Sequence, residues 1–246
     1  MIFPRRVFLS PLPMIDKIWL NESTKMWLHQ HPFELFLPKE ATHLIVGTLP
    51  PPRFFYGDLK SGDVPFCYGS IDGQLWPILD RIYSLDLRFE NSAAAVQERK
   101  TFLTQINMGI CDIVAHCYRK KWDASDMGMQ EVQLRDFFSY LDQVPKVQTL
   151  LFTGGDNKNG PTYFFKRYLK SKGLSLALEN DAVPRQHSFT YNKRRLTTYS
   201  LTAPSGAANR AVGSMAAYKA QKAKDPSFTT LDFRVQQYQK VFPQII

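Results

Sequence analysis

The sequence predicts an α/β fold in which a parallel sheet is flanked by helices. Two observations carry this. Short, wholly apolar runs end in Gly or Pro, as in "THLIVGTLP" and "VQTLLFTGG", and such runs are the mark of strands buried on both faces. Between them lie longer segments whose apolar residues recur at helical spacing, and this alternation is the pattern of strand–helix–strand units. With 246 residues, 44% of them hydrophobic, the chain can bury one sizeable core, so a single domain over 1–246 is expected.

Residues 1–40 are rich in prolines and aromatics (Pro4, Pro11, Pro13, Trp19, Trp27, Pro32, Pro38) and read as an N-terminal extension packing on the main body. One short helix is expected near 22–30. "THLIVG" is a buried strand. "QLWPILDRIYSL" puts Trp76, Leu79, Ile82 and Tyr83 on one helical face, with Pro77 tolerated in the first turn. "AVQERKTFLTQIN" is a second helical pattern, "GICDIV" a short apolar run, and "QLRDFFSYLDQV" helical again. "VQTLLFTGG" is a strand followed by the helix "PTYFFKRYLKSKG", which closes on Gly173. "RRLTTYSLTAPSG" runs a third strand into a Pro-Ser-Gly turn. "NRAVGSMAAYKAQKA" and "TTLDFRVQQYQKVF" read as the final helices, the last with Leu231, Val235, Tyr238 and Phe242 in one stripe.

Ligands of parallel sheets bind outside the carboxyl ends of the strands. Three loops therefore converge on one expected site: "GTLPPP" after Val46, "TGGDNKNGP" after Phe152 and "TAPSGAANR" after Leu201.

Lys+Arg number 31 against 22 Asp+Glu, a net charge of +9, which favours polyanionic partners. Three cysteines, Cys67, Cys111 and Cys117, form no disulfide framework and no zinc spacing; buried thiols are expected. The histidines His29, His31, His43, His116 and His187 show no metal spacing, and the His29–His31 pair reads as exposed. No metal and no cofactor are expected. "TGGDNKNG" lacks the order of a phosphate-binding glycine loop, and no G-x-S-x-G elbow occurs. No run approaches a membrane span and the N-terminus has no clean signal-peptide core, so a cytoplasmic monomer without membrane contact is expected.

Taken in order, several pieces resemble the uracil-DNA glycosylase superfamily, and among its branches the mismatch-specific and hypoxanthine-DNA glycosylases. They are the Gly47-Thr48-Leu49-Pro50 turn, Phe66-Cys67-Tyr68-Gly69 followed by Leu75-Trp76-Pro77-Ile78-Leu79, and "GICDIVAHCYRKKWDASDMGM" with Asp112, Cys117, Arg119, Ser125 and Asp126. "LLFTGG" and "LTAPSGAANR" complete the set, which spans about residues 43–215. The resemblance implies a three-layer α/β/α sandwich around a mostly parallel, roughly four-stranded sheet. It implies a base-excision repair hydrolase that flips a deaminated base, uracil or hypoxanthine, out of damaged DNA, duplex or single-stranded, and cuts its N-glycosidic bond. Gly47, Phe66, Tyr68 and Asp126 would then contact the base, with Phe66 and Tyr68 stacking on it. Pro204, Ser205, Gly206, Asn209 and Arg210 would contact DNA.

The catalytic amides of the relatives have no counterpart here. Thr48 stands at the position of the first, Gly73 at the asparagine before the Trp, and Ala203 before the Pro-Ser turn. Asp72, adjacent to Gly73, and Thr48 are the expected catalytic residues, with Asp126 a second candidate for the carboxylate. A member of the same fold that binds nucleic acid or nucleotide without turnover is the alternative expectation, and a hydrolase of free nucleosides a third.

Overall fold

The computed structural model describes residues 25–244. Its first element, β1 (Trp27–Gln30), is a strand where a short helix was expected near 22–30; residues 22–24 lie outside the described residues. Trp27 and His29 point inward and Gln30 outward, the two-residue period of a half-buried strand. Pairing with a distant strand overrides the weak local preference.

The chain continues with β2 (His43–Gly47), buried from Leu44 onward, and α1 (Pro52–Tyr56), which starts on Pro52 and stops at Gly57, φ 73°. Next come α2 (Leu75–Tyr83) and α3 (Ala93–Gln105), the latter capped by Ser92 Oγ, which accepts from the Ala95 N–H at 3.1 Å. β3 (Met108–Asp112) is wholly buried, and a single residue, Ile113, separates it from β4 (Val114–Arg119). β5 (Gln130–Leu134) takes Gln133 and Leu134, which the sequence pattern had assigned to the helix; α4 (Phe137–Gln143) begins only at Phe137. β6 (Thr149–Phe152) and α5 (Pro161–Ser171) follow, and the chain turns at Gly173, φ 73°.

β7 (Ala177–Asn180), β8 (Arg185–Tyr191) and β9 (Arg194–Ser200) come next. α6 (Asn209–Ser214) and α7 (Ala216–Lys224) divide what the sequence presents as one helix, because Met215 is extended (ψ 133°). α8 (Thr230–Gln239) opens on a reciprocal capping box between Thr229 and Asp232.

The larger sheet has six strands in the order β3-β2-β6-β9-β8-β7. The first four are parallel: Ile45 lies opposite Ile110 and Leu151, and Leu151 opposite Tyr199. β8 and β7 add antiparallel neighbours, so the sheet is mixed and larger than the four strands expected. The reason is the tight turn at Asn192 and Lys193, both at positive φ (50° and 62°), which folds β8 directly onto β9. A second, antiparallel sheet has the order β1-β4-β5. It is continuous with the first through Ile113, whose N–H bonds Gly47 O at 2.9 Å.

Alternate residues of the parallel strands feed two cores. Leu44, Val46, Leu150 and Phe152 face Phe137, Phe164, Phe165 and Leu169 of α4 and α5. Ile45, Ile110 and Leu151 face Trp76, Leu79, Leu103 and Tyr238 of α2, α3 and α8. Each such side chain contributes roughly 1.5–3 kcal/mol of burial, so the sheet is held from both sides. Among the described residues no helix is long and apolar enough to cross a membrane.

Candidate functional site

The site forms where β2 ends. Gly47 faces Asp112 in the parallel register, so Asp112 arrives from β3 at the same level. A Cβ on Gly47 would lie 2.0 Å from Tyr68 Oη and 2.3 Å from Asp112 Oδ1. The glycine is needed because the tyrosine hydroxyl and the carboxylate both close on its Cα.

The Tyr68 loop reaches this point through a self-closed turn. Val64 N–H bonds Gly69 O at 2.7 Å and Gly69 N–H bonds Phe66 O at 3.0 Å, which forces Tyr68 to φ 57°. Trp76 Nε1 donates to Cys67 O at 2.9 Å and pins the loop to α2. The partly buried Tyr68 pairs its hydroxyl with Thr153 Oγ1 at 2.6 Å, and Thr153 Oγ1 in turn donates to Val46 O at 3.3 Å. Burial first, then the charge of Asp112, pushes the Tyr68 hydroxyl well above the ordinary tyrosine range, so it stays protonated.

Asp126 enters from the loop between β4 and β5. Thr48 Oγ1 donates to Asp126 Oδ1 at 2.8 Å. Asn159 Nδ2, from the loop between β6 and α5, holds Asp126 O and Met129 O, each at 2.9 Å. Arg119, 1% exposed, holds Ser125 O at 2.7 Å and Asp123 O at 3.2 Å, while its Nε donates to His29 Nδ1 at 2.9 Å. Burial raises the Asp126 carboxyl to about 6; the Thr48 hydrogen bond and Arg119 oppose the rise, and Asp112 adds to it. His29 is lowered to about 3, by burial and then by Arg119, so it is neutral and can accept the Arg119 N–H.

His31 and Asp112 meet in the same place, His31 Nε2 lying 2.7 Å from Asp112 Oδ2. A carboxylate oxygen accepts, so Nε2 is the donor to Asp112, while Nδ1 lies against the Phe33 backbone, 3.1 Å from its N and 3.0 Å from its O. The His29–His31 pair is buried (0% and 7% exposed), contrary to the expectation of an exposed segment, because both residues point inward from or beside the short β1.

The other expected residues divide. Phe66, 3% exposed, packs its ring against Phe36 and Trp76. The Asp72 side chain, 59% exposed, is held by Lys60 Nζ at 2.7 Å and Arg53 Nη2 at 3.3 Å, and Arg53 also pairs with the buried Asp63. Its neighbour Gly73 bridges Ser205, and the Gln74 N–H bonds Pro204 O at 2.9 Å, so the loop after β9 lies against the Tyr68 loop. Pro204 is buried, Ser205 half-buried, and Gly206 and Arg210 are exposed. Asn209 Oδ1 accepts from Arg234 Nη1 at 2.9 Å and Thr230 Oγ1 at 3.1 Å, a structural tie.

Arg234, on α8 and 0% exposed, also donates to Ala203 O at 2.9 Å and Ser205 O at 3.1 Å. Sequence reasoning missed it, as it missed His31, Thr153 and Asn159. Arg234 breaks an otherwise apolar helix stripe, the one signal that could have found it. Among the described residues no cluster of three or more His, Cys, Asp or Glu is placed to hold a metal ion.

With the geometry in hand, comparison with known proteins adds no relative: no family model and no curated protein matches the chain.

Proposed function

We propose that this chain is a DNA glycosylase, hydrolysing the N-glycosidic bond of a base flipped out of DNA, with uracil and hypoxanthine as the first bases to test. The carrying observation is the Thr48–Asp126 pair at the end of β2, beside the Tyr68 loop, which the Pro204–Ser205 loop abuts through Gln74. The proposal includes the three-layer sandwich of the uracil-DNA glycosylase superfamily. Four parallel strands buried on both faces support it, and a net charge of +9 supports DNA as the partner.

In this reading Asp126, rather than Asp72, is the catalytic carboxylate. Its carboxylate, oriented by the Thr48 hydroxyl, positions water and stabilises the cationic sugar of the transition state. Tyr68 packs its ring on the base, and Ser205 and Gly206 approach a phosphate. The test is incubation with duplexes and single strands carrying uracil, hypoxanthine or xanthine, followed by alkaline cleavage. Strand breaks that vanish in Asp126→Asn are expected; no break with any lesion removes the reading.

A second reading is a binder without turnover. It is favoured by Gly73 and Ala203 standing where the relatives carry amides, and by the Tyr68 hydroxyl filling the space over Gly47. It predicts salt-dependent DNA binding with no base release.

A further inference from the structure

The loop between β4 and β5 is anchored along most of its length. Trp122 stacks on the buried Trp27, with ring centroids 4.1 Å apart and planes 11° from parallel. Arg119 holds the carbonyls of Asp123 and Ser125, and the Ser125 N–H donates to Asp123 Oδ1 at 3.0 Å. Asn159 holds Asp126 O and Met129 O, and Met129 is itself buried. Between these anchors runs the one-turn 3-10 helix Asp126–Gly128. It turns Asp126 inward to Thr48 and leaves Met127 62% exposed, the most exposed large apolar side chain among the described residues. Single exposed apolar residues are common. This one differs in being held out by a fixed backbone, one residue from the Asp126 carboxylate.

The flanking charge is basic. Lys120 and Lys121 are exposed, as is Lys158 beside Asn159, and among the described residues none of the three forms an ion pair. The loop's two acids do not offset them: Asp123 Oδ1 lies 3.8 Å from Arg119 Nη1, and Asp126 is taken up by Thr48.

We infer that this loop is a contact for duplex DNA, with Met127 entering the base stack beside the extruded nucleotide and Lys120 and Lys121 lying on phosphates. The inference rests on the glycosylase reading and names a surface by which that site meets its substrate, in addition to the loop after β9.

The partner's chemistry fits on both counts. Each nucleotide occupies about 3.4 Å of its strand, close to the ~3.5–4.0 Å contact separation of aliphatic carbons. An unbranched methionine side chain adapts to the gap that an extruded base leaves, and filling it offsets the lost stacking. A wedge works only if its backbone does not retract, and the anchors on Trp122, Asp123, Ser125, Asp126 and Met129 supply that. The lysines meet phosphates without first breaking an ion pair. An apolar protein surface would match Met127 and leave the lysines unanswered.

Fluorescence anisotropy with the full chain tests this on an intact duplex and on the same duplex carrying a tetrahydrofuran abasic nucleotide, which mimics the gap. The wild type is expected to bind the abasic duplex at least tenfold tighter. Met127→Ala should lose at least fivefold on the abasic duplex and nothing on the intact one. Lys120→Gln with Lys121→Gln should weaken both duplexes alike and lower the slope of log affinity against log salt by about 2. Both variants change exposed side chains, and an unchanged thermal midpoint shows that they fold. Wild-type behaviour of either variant, or no binding of the wild type to either duplex, overturns the inference. Release of uracil or hypoxanthine, followed in parallel by chromatography of the free base, separates the two readings. Release with wild-type behaviour of Met127→Ala overturns the inference and leaves the glycosylase standing. The expected losses without release of any base keep the DNA contact and remove the glycosylase.

Discussion

Thr48 Oγ1 donates to Asp126 Oδ1 at 2.8 Å, joining residues 78 positions apart in the chain. This contact ties the end of β2 to the loop between β4 and β5, and it sets the orientation of the carboxylate on which the proposed chemistry depends.

Asp126 should show opposite effects on activity and stability. Its carboxyl lies near 6 in the folded protein against 3.8 ordinarily, so between these values the folded state binds more protons and stability falls as pH rises. Above pH 6 the full cost applies, about 3 kcal/mol. Asp126→Asn keeps an acceptor for Thr48 and removes the charge. It should raise the thermal midpoint at pH 7, flatten the pH 4–6 part of the stability curve, and lower base release by at least about a hundredfold. Wild-type release should rise with pH through about 6.

His29 acts in the reverse sense. Its folded value of about 3 lies below the ordinary 6.5, so the unfolded chain takes up the proton first as pH falls. Its contribution is complete above pH 6.5 and is lost progressively toward pH 3. His29→Gln should lessen the acid-induced fall in stability across that window, seen in urea midpoints measured at successive pH values.

Gly47→Ala tests the closest approach in the site. The new methyl group would meet Tyr68 Oη at 2.0 Å and Asp112 Oδ1 at 2.3 Å, so a loss of about 1–3 kcal/mol is expected in urea denaturation. Adding Tyr68→Phe removes the nearest atom and should restore part of that loss; no recovery in the double variant would show that the tyrosine hydroxyl is not what excludes a side chain.

Arg234→Met should leave the carbonyls of Ala203 and Ser205 without their buried donor. A cost of about 2–4 kcal/mol is expected in the denaturation midpoint. Affinity for DNA should fall as well if the Pro204–Ser205 loop grips phosphate, read by fluorescence anisotropy at fixed salt.

Much of the frame is written locally. The apolar runs at 43–47 and 149–152 can be satisfied only by burial on both faces, and the helices at 75–83, 93–105 and 161–171 follow from local spacing, with Ser92 capping the second and Pro161 opening the third. The meeting of the loops after Val46 and Phe152 was likewise legible, because parallel strands present their carboxyl ends on one side; Thr48 and Asn159 both hold Asp126. The run at 194–200 was also legible as a strand, but the strands at 27–30, 177–180 and 185–191 were not, since their pairing partners are distant or the turn before 194 lacks glycine.

The tertiary structure decided which charged groups meet. Asp72 and Asp126 are both acidic residues in loops, and no local pattern separates them. Lys60 and Arg53 hold one at the surface, while Thr48 and burial against Arg119 and Asp112 tune the other. A side chain's chemistry depends on solvent exposure and on partners many residues away, so the sequence determined the frame and the residue types, and folding alone determined their charges and their neighbours.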